Sequence, residues 1–285
     1  MSLDFLQPFA GVHAIQQASF NLQWSAMALG SADRKVEICI EEMGEAMRCL
    51  GLQPVVPISM VQFQIGPGAP NQAMSPGVVT GYEGRLSASV AGPMFVVTAS
   101  AHDGLVIQVR QYTRWAPVFA QVLTIAQALL PVAAKAAPLV RLGLQVVDSF
   151  NWNGPVEELV VSDVFRRDSP WMSPHAFECR SFWHCHHGYF ESVELEGCTQ
   201  QLNNVNVSVS SASEVPLLQA ALIHQVELVQ SEWWVRNPES AGRIGPIFEK
   251  LHADNKAAIG KLFTDDVAKR VALWGRSQNR DGDHV

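Results

Sequence analysis

The sequence predicts an α+β fold: two halves of antiparallel β-sheet, each packed against long helices, in the manner of a structural pseudo-repeat. Three observations predict it. Runs of residues alternate apolar and polar with period two, as half-buried strands do. Short turns such as Gly92-Pro93 and His102-Asp103-Gly104 join successive runs, and the Asp-Gly pair is a hairpin signal. Each set of strands is accompanied by a long apolar helical stripe. The pseudo-repeat is structural, since the two halves share no evident residue-level similarity. The expected division is residues 1–152, residues 153–275 and a polar tail, 276–285.

The first strand is expected over His13–Trp24, with Ala14, Ala18, Phe20, Leu22 and Trp24 on one parity. A helix follows from about Asp33 to Leu50, striped by Val36, Ile40, Met43, Met47 and Leu50 and closed by Gly51. Met60–Ile65 reads as a short strand, and Gly66–Gly81 as a Gly/Pro-rich loop. Strands are expected over Tyr82–Val90, Met94–Ser100 and Leu105–Tyr112. The next helix begins near Thr113, has Pro117 near its first turn, and should end or kink at Pro131. Its wide apolar face, built on Val118, Val122, Ile125 and Leu129, implies burial against a sheet.

A strand over Leu139–Phe150 then leads to the irregular stretch Asn153–Ala176. Strands are expected over Phe177–Glu194, Cys198–Ser210 and Leu217–Gln230, and a helix over Gly245–Phe263. Thr264-Asp265-Asp266 has the composition of a capped helix start, and that last helix should bury Val267, Val271 and Trp274.

Composition narrows the function classes. With 48% hydrophobic and 16% charged residues in 285, the chain can build a core. A net charge of −7 and a pI near 5.7 argue against a nonspecific nucleic-acid binder, which must neutralise phosphates. The N-terminus lacks the pattern of a secretory signal. The most apolar run, Val118–Ala134, is interrupted by Gln121, Gln127 and Pro131, so no membrane association is expected. Five scattered cysteines, an odd number, read as reduced thiols of a cytoplasmic protein.

Tyr112-Thr113-Arg114-Trp115, Arg141-Leu142-Gly143-Leu144, and Leu251-His252 followed by the Leu262–Gly275 helix occur in that order. Together they resemble a sporadically distributed family of uncharacterised bacterial proteins of similar length. The resemblance runs from about His13 to Gly275 and implies the fold rather than an activity. In that family the second motif continues Arg-Tyr-x-Asn, whereas here Gln145, Val146, Val147 and Asp148 follow. The scattered occurrence of the family implies, by analogy, a defence or mobile-element locus.

The densest set of metal-competent side chains is the stretch His175–Cys198. On a strand, His184 and His186 share one face, while Cys179, Cys185 and His187 share the other. Either His184/His186 or Cys185/His187 is a candidate start of a zinc site, although no CxxC accompanies them and the spacing fits no common zinc framework. The competing reading is a strand whose Phe182, Trp183 and Tyr189 pack in the core. Glu37, Glu41 and Glu45 recur along one face of the first helix as an acidic surface, solvated or docked to a basic partner. Trp233 and Trp234, beside Arg236, have the composition of an interface anchor. Arg141 and the Arg166-Arg167 pair are candidate anion contacts. No nucleophile elbow, zinc-protease motif or P-loop is present.

The reading that follows is a cytoplasmic binding or interaction protein with an unidentified protein partner, no resident cofactor, and a sequence compatible with a homo-oligomer. The alternative is a metal-dependent hydrolase-like enzyme using the His/Cys-rich strand.

Overall fold

A computed structural model describes residues 3–25, 27, 34–60, 78–87, 92–179, 182–213, 215–229 and 240–274. In chain order its strands are β1 (Leu6–Pro8), β2 (Ile15–Trp24), β3 (Val56–Met60), β4 (Val78–Ser87), β5 (Met94–Ser100) and β6 (Gly104–Arg110). They continue with β7 (Leu139–Trp152), β8 (Trp183–Ser192), β9 (Cys198–Ser213) and β10 (Val215–Leu228). The helices are α1 (Lys35–Cys49), α2 (Trp115–Ala133), α3 (Val161–Val164), α4 (Ser240–Leu262) and α5 (Asp265–Arg270).

The α+β class and its antiparallel pairing are as expected, and the strands of both halves join in one ten-stranded sheet. Its order is β3-β4-β5-β6-β2-β7-β10-β9-β8, with β1 added beside β7. The junction is β7, which pairs along one edge with β2 and along the other with β10. Its fourteen residues alternate over a length that serves both neighbours, so no exposed edge separates the halves. At the β5–β6 turn Gly104 adopts φ 88°, and a Cβ there would collide with the Leu22 carbonyl, so glycine is required.

The helices lie over one face. The α1 stripe Val36, Ile40, Met43 and Met47 is buried, and α1 packs against α2 and β4. The α2 helix is long and apolar enough to cross a membrane by length and composition alone; here its stripe Val118, Val122, Ile125 and Leu129 is fully buried in the core. It passes through Pro131 and stops at Ala133. The proline removes a single hydrogen bond in the last turn, and the Ala134 N–H still bonds the Leu130 carbonyl at 2.9 Å.

Two buried clusters result. One joins β2, β5, β6 and the Leu142–Val146 part of β7 to α1, α2 and the first half of α4. The other joins Phe150 and Trp152 of β7, Val205–Val209 of β9 and Leu218–Leu222 of β10 to the second half of α4.

Several local expectations are corrected. The short strand is Val56–Met60, ahead of the place expected for it, and residues 61–77 lie outside the described ones. Phe177 and Cys179 precede β8 instead of belonging to it, because Pro174–Phe177 closes a 3₁₀ turn. Phe182 (54% exposed) and Tyr189 (37%) are outside the core, while Trp183 packs on it. Thr264 occupies the N-cap of α5 without capping it; its hydroxyl donates to the Asp163 carbonyl at 2.8 Å. Trp274 follows the end of α5, is 64% exposed, and has the Lys256 ammonium 5.6 Å above its ring.

Candidate functional site

Along the helix-covered face of β7, Leu142, Leu144, Val146, Phe150 and Trp152 are buried. The position between Val146 and Phe150 is Asp148, 6% exposed, where strand alternation calls for an apolar residue. It is also the point where β7 changes neighbours. β2 pairs with it from Leu139 to Asp148 and β1 from Phe150 to Trp152. β2 bulges between Ile15 and Gln17, opposite Asp148 and Val147. The residues between β1 and β2 turn tightly, with Gly11 at φ 75°, and are tied to β7 by hydrogen bonds from Phe9 N–H to Ser149 O and from Ser149 N–H to Ala14 O.

This change of partner leaves a cavity of about 550 Å³ at the boundary between the two buried clusters. Asp148, buried, and His13 and Tyr112, half-buried, lie together in its lining. The His13 Nε2–H donates to the Tyr112 carbonyl at 2.8 Å, which leaves Nδ1 as a buried acceptor with no hydrogen-bond partner. Asp148 has no hydrogen bond or ion pair among the described residues. Burial pushes its carboxyl up to about 7. Burial holds His13 below the usual histidine range, with Arg114 adding to the effect and the Tyr112 carbonyl opposing it. The Tyr112 phenol is raised by burial first and by the Asp148 charge second.

One wall is aromatic. The Trp115 and His252 rings stack 3.8 Å apart at 8°, and Phe119 lies on the other side of Trp115 at 4.7 Å. Trp115 Nε1–H donates to the Glu249 carboxylate at 3.0 Å, fixing the indole. Burial lowers His252 to about 4, helped by Lys256 and opposed by Glu249, so this ring is neutral near neutrality. The exposed Arg114, Lys269 and Arg270 and the half-buried Lys256 stand at the mouth, and Asp148 is the only carboxylate among the described residues of the lining.

A second polar group lies under α4, next to the cavity. The Gln201 amide donates to Asn203 Oδ1 at 2.8 Å and to Asp254 at 2.9 Å; Lys250 also donates to Asp254, at 2.6 Å. His224 Nδ1 bonds the same Asn203 oxygen at 2.6 Å, and the Asn203 amide donates to Glu191 at 2.9 Å. Burial lowers His224 to about 4, so it is held neutral. Among the described residues its Nε2 and the Asn255 Oδ1 are buried without a hydrogen bond of normal geometry, although the Asn255 side chain is near enough to favour the protonated imidazole.

The residues singled out from sequence are placed as follows. His184 and His186 are exposed on the uncovered face of β8, and His186 Nδ1 meets Asn206 Oδ1. Cys185 and His187 are half-buried on the other face. The division of β8 into faces is thus as expected, but Cys179 is not on it; its thiol is 3.2 Å from His175 Nε2. Among the described residues no three potential ligands gather to hold a metal. Glu37 is half-buried, so the Glu37/Glu41/Glu45 row is not a uniform acidic surface. Glu45 pairs with Arg48 at 3.0 Å, and Lys135 reaches the neighbouring Glu42 at 2.6 Å. Trp233, Trp234 and Arg236 lie outside the described residues, as does the tail 276–285.

Arg141 is held by Gln23 (3.1 Å) and Glu227 (3.0 Å), and Arg166 by Asp168 and Asp265. Arg167 lies over the Phe177 ring at 5.1 Å.

His13, His252 and the lining of the cavity were not legible as a site. The available signal was an acid on the apolar parity of a strand, Asp148, at the end of the Gln145–Asp148 departure. Gln145 pairs across from Ser19, and of the four residues of that departure Val146 and Asp148 line the cavity. Tyr112–Trp115, Asp148, His252 and Lys269–Leu273, which come from separate conspicuous segments of the sequence, all line this one space. Comparison of the chain with family models, with curated proteins and with solved structures finds no match.

Proposed function

We propose that this chain is a binding protein whose site for a small molecule is the cavity over Asp148. The observation that carries the reading is the buried Asp148 carboxyl, which has no hydrogen-bond or ion-pair partner among the described residues. Such a group destabilises a fold, and a native structure retains one where a ligand or a reaction needs it. The volume lies within the roughly 300–1,000 Å³ of small-molecule sites, and apolar walls with a few convergent polar groups are their usual lining.

The strand order supports reading the molecule as two related halves. Each begins with a central strand, β2 or β7, and ends with a meander whose last strand, β6 or β10, lies beside that central strand and precedes a long helix. The cavity then occupies the seam between halves, a favoured place for ligands. Trp233, Trp234 and Arg236 are outside the described residues, so the argument for binding rests on the cavity and not on a protein partner.

A ligand-observed NMR screen of small fragments against the full chain tests the reading. Hits are expected for the parent protein and should disappear in Ile15→Trp, which fills the cavity, with circular dichroism confirming the fold. An empty screen, or hits that persist in Ile15→Trp, overturns it.

A further inference from the structure

The cavity is chemically polarised from floor to mouth, and that polarity specifies a kind of ligand. At the buried end, the Asp148 carboxyl (6% exposed) and His13 Nδ1 are acceptors that meet no donor among the described residues. At the mouth the four side chains Arg114, Lys256, Lys269 and Arg270 are cationic. Their existing contacts are slight. Lys269 is 3.9 Å from Asp266 with both side chains about four-fifths exposed, Arg270 donates to the Leu3 carbonyl at 2.6 Å, and Lys256 lies over Trp274 at 5.6 Å. Between floor and mouth the lining is mostly flat or apolar, with the edge of the Trp115–His252 stack, Val146, Ile15 and Ile259, and one polar side chain, Asn255.

A carboxylate buried without a partner requires N–H or O–H donors, and a carboxyl next to two parallel N–H groups is satisfied in one step. An apolar slot excludes a strongly hydrated head such as an ammonium, and favours a ring whose polar atoms are confined to one edge. A cluster of exposed Arg and Lys requires an anion.

Building on the reading of the cavity as a ligand site, we propose that its ligand is a nitrogen heterocycle joined to an anionic group. The N–H edge of the ring meets Asp148 and His13 at the floor, the ring lies against the Trp115–His252 wall, and the anion meets the cations at the mouth. Two sources share this chemistry: nucleotides, whose tail is a phosphate, and pterin-type carboxylates.

Isothermal titration calorimetry with the full chain separates them. The probes are GMP, AMP, folic acid, guanosine and inorganic phosphate. Binding of GMP with weaker AMP identifies a nucleotide, since guanine, unlike adenine, offers two adjacent N–H groups to one carboxylate; binding of folic acid, whose pterin shares that edge, without GMP identifies the carboxylate source. Either result supports the proposal when two variants behave as follows. Asp148→Asn weakens the ligand about tenfold or more, as loss of a charged hydrogen-bond partner does. The surface double variant Arg114→Ala/Lys256→Ala weakens the anionic ligand but leaves any guanosine binding unchanged.

Binding of phosphate alone, with no gain from a ring, overturns the proposal, as does failure of GMP, AMP and folic acid alike. If uncharged fragments still occupy the cavity in the NMR screen, the bipolar ligand falls and the binding site stands. If neither set binds, both fall.

Discussion

Two polar regions lie under the same helix and differ in one respect. Around Asn203, the amides of Gln201 and Asn203, the His224 imidazole and the Asp254 carboxylate are joined to one another, to Lys250 and to Glu191. Around Asp148 the carboxyl has no hydrogen bond or ion pair among the described residues, and the buried His13 Nδ1 has none there either. The first is close to the ordinary solution for polar groups inside a protein: its members are joined to one another, with the His224 Nε2 left over, and the set ties α4 to β9 and β10. The second lacks that solution and has a cavity beside it. Polar burial by itself says little about function; polar burial without partners, next to open space, is what separates a site from a strut.

The largest expected effect tests the Asp148 side. Its carboxyl is held at about 7 in the fold against an ordinary 3.8, so the folded state binds the proton more tightly. Stability from this group is present at low pH and lost as pH rises from about 4 to 7, by up to about 4 kcal/mol. Asp148→Asn is expected to raise the melting temperature at pH 8 and to converge with the parent protein near pH 4. A variant that melts below the parent at pH 8 would place a partner on the carboxylate. His224 and His252 act in the opposite sense. Both are held near 4, so their contribution is lost as pH falls from about 6.5 to 4.

Asn203→Ala tests the other side. It removes the acceptor shared by Gln201 and His224 and the donor to Glu191, leaving buried groups without partners. A loss of about 3 kcal/mol in urea unfolding is expected. A loss under about 1 kcal/mol would show that the network is not what holds α4 to the sheet.

A smaller effect is expected where the regions meet. His252→Ala removes one ring of the Trp115 stack, and should cost about 1 kcal/mol. Fluorescence of Trp115 would report the change, and an unaltered emission spectrum would mean that the stack does not set the indole's surroundings.

The smallest effect is expected at the exposed His184 and His186. Alanine at both should change stability by no more than about 0.5 kcal/mol. Elemental analysis of untagged protein gives the sharper reading: more than half an equivalent of zinc, lost in the double variant, would revive a metal site on β8.

Much of the scaffold could be read from the chain, because strand alternation and helical stripes are local. The parity of Phe20, Leu22 and Trp24 and the stripe of Val36, Ile40, Met43 and Met47 are buried as their spacing required. The hairpin at Gly104 follows from a residue that alone tolerates its backbone. The site was much less legible. The pairs His184/His186 and Cys185/His187 each share a face of β8 as their spacing required, yet among the described residues no third ligand joins either pair, and such a ligand could come only from a distant segment. Thr264 had the composition of a cap and turned instead to Asp163, a partner 101 residues away.

What the sequence determined by itself is the class of the fold, the faces of its strands and helices, and the presence of an acid where an apolar residue belonged. Local periodicity encodes these, since each depends on neighbours within a few residues. Only the tertiary structure decided that two sets of strands join through β7, that β1 and β2 divide its edge at Asp148, and that His13, Trp115, His252 and Lys269 surround the gap. Those contacts join residues far apart in the chain, and nothing in the local pattern of either partner records which other segment will lie beside it.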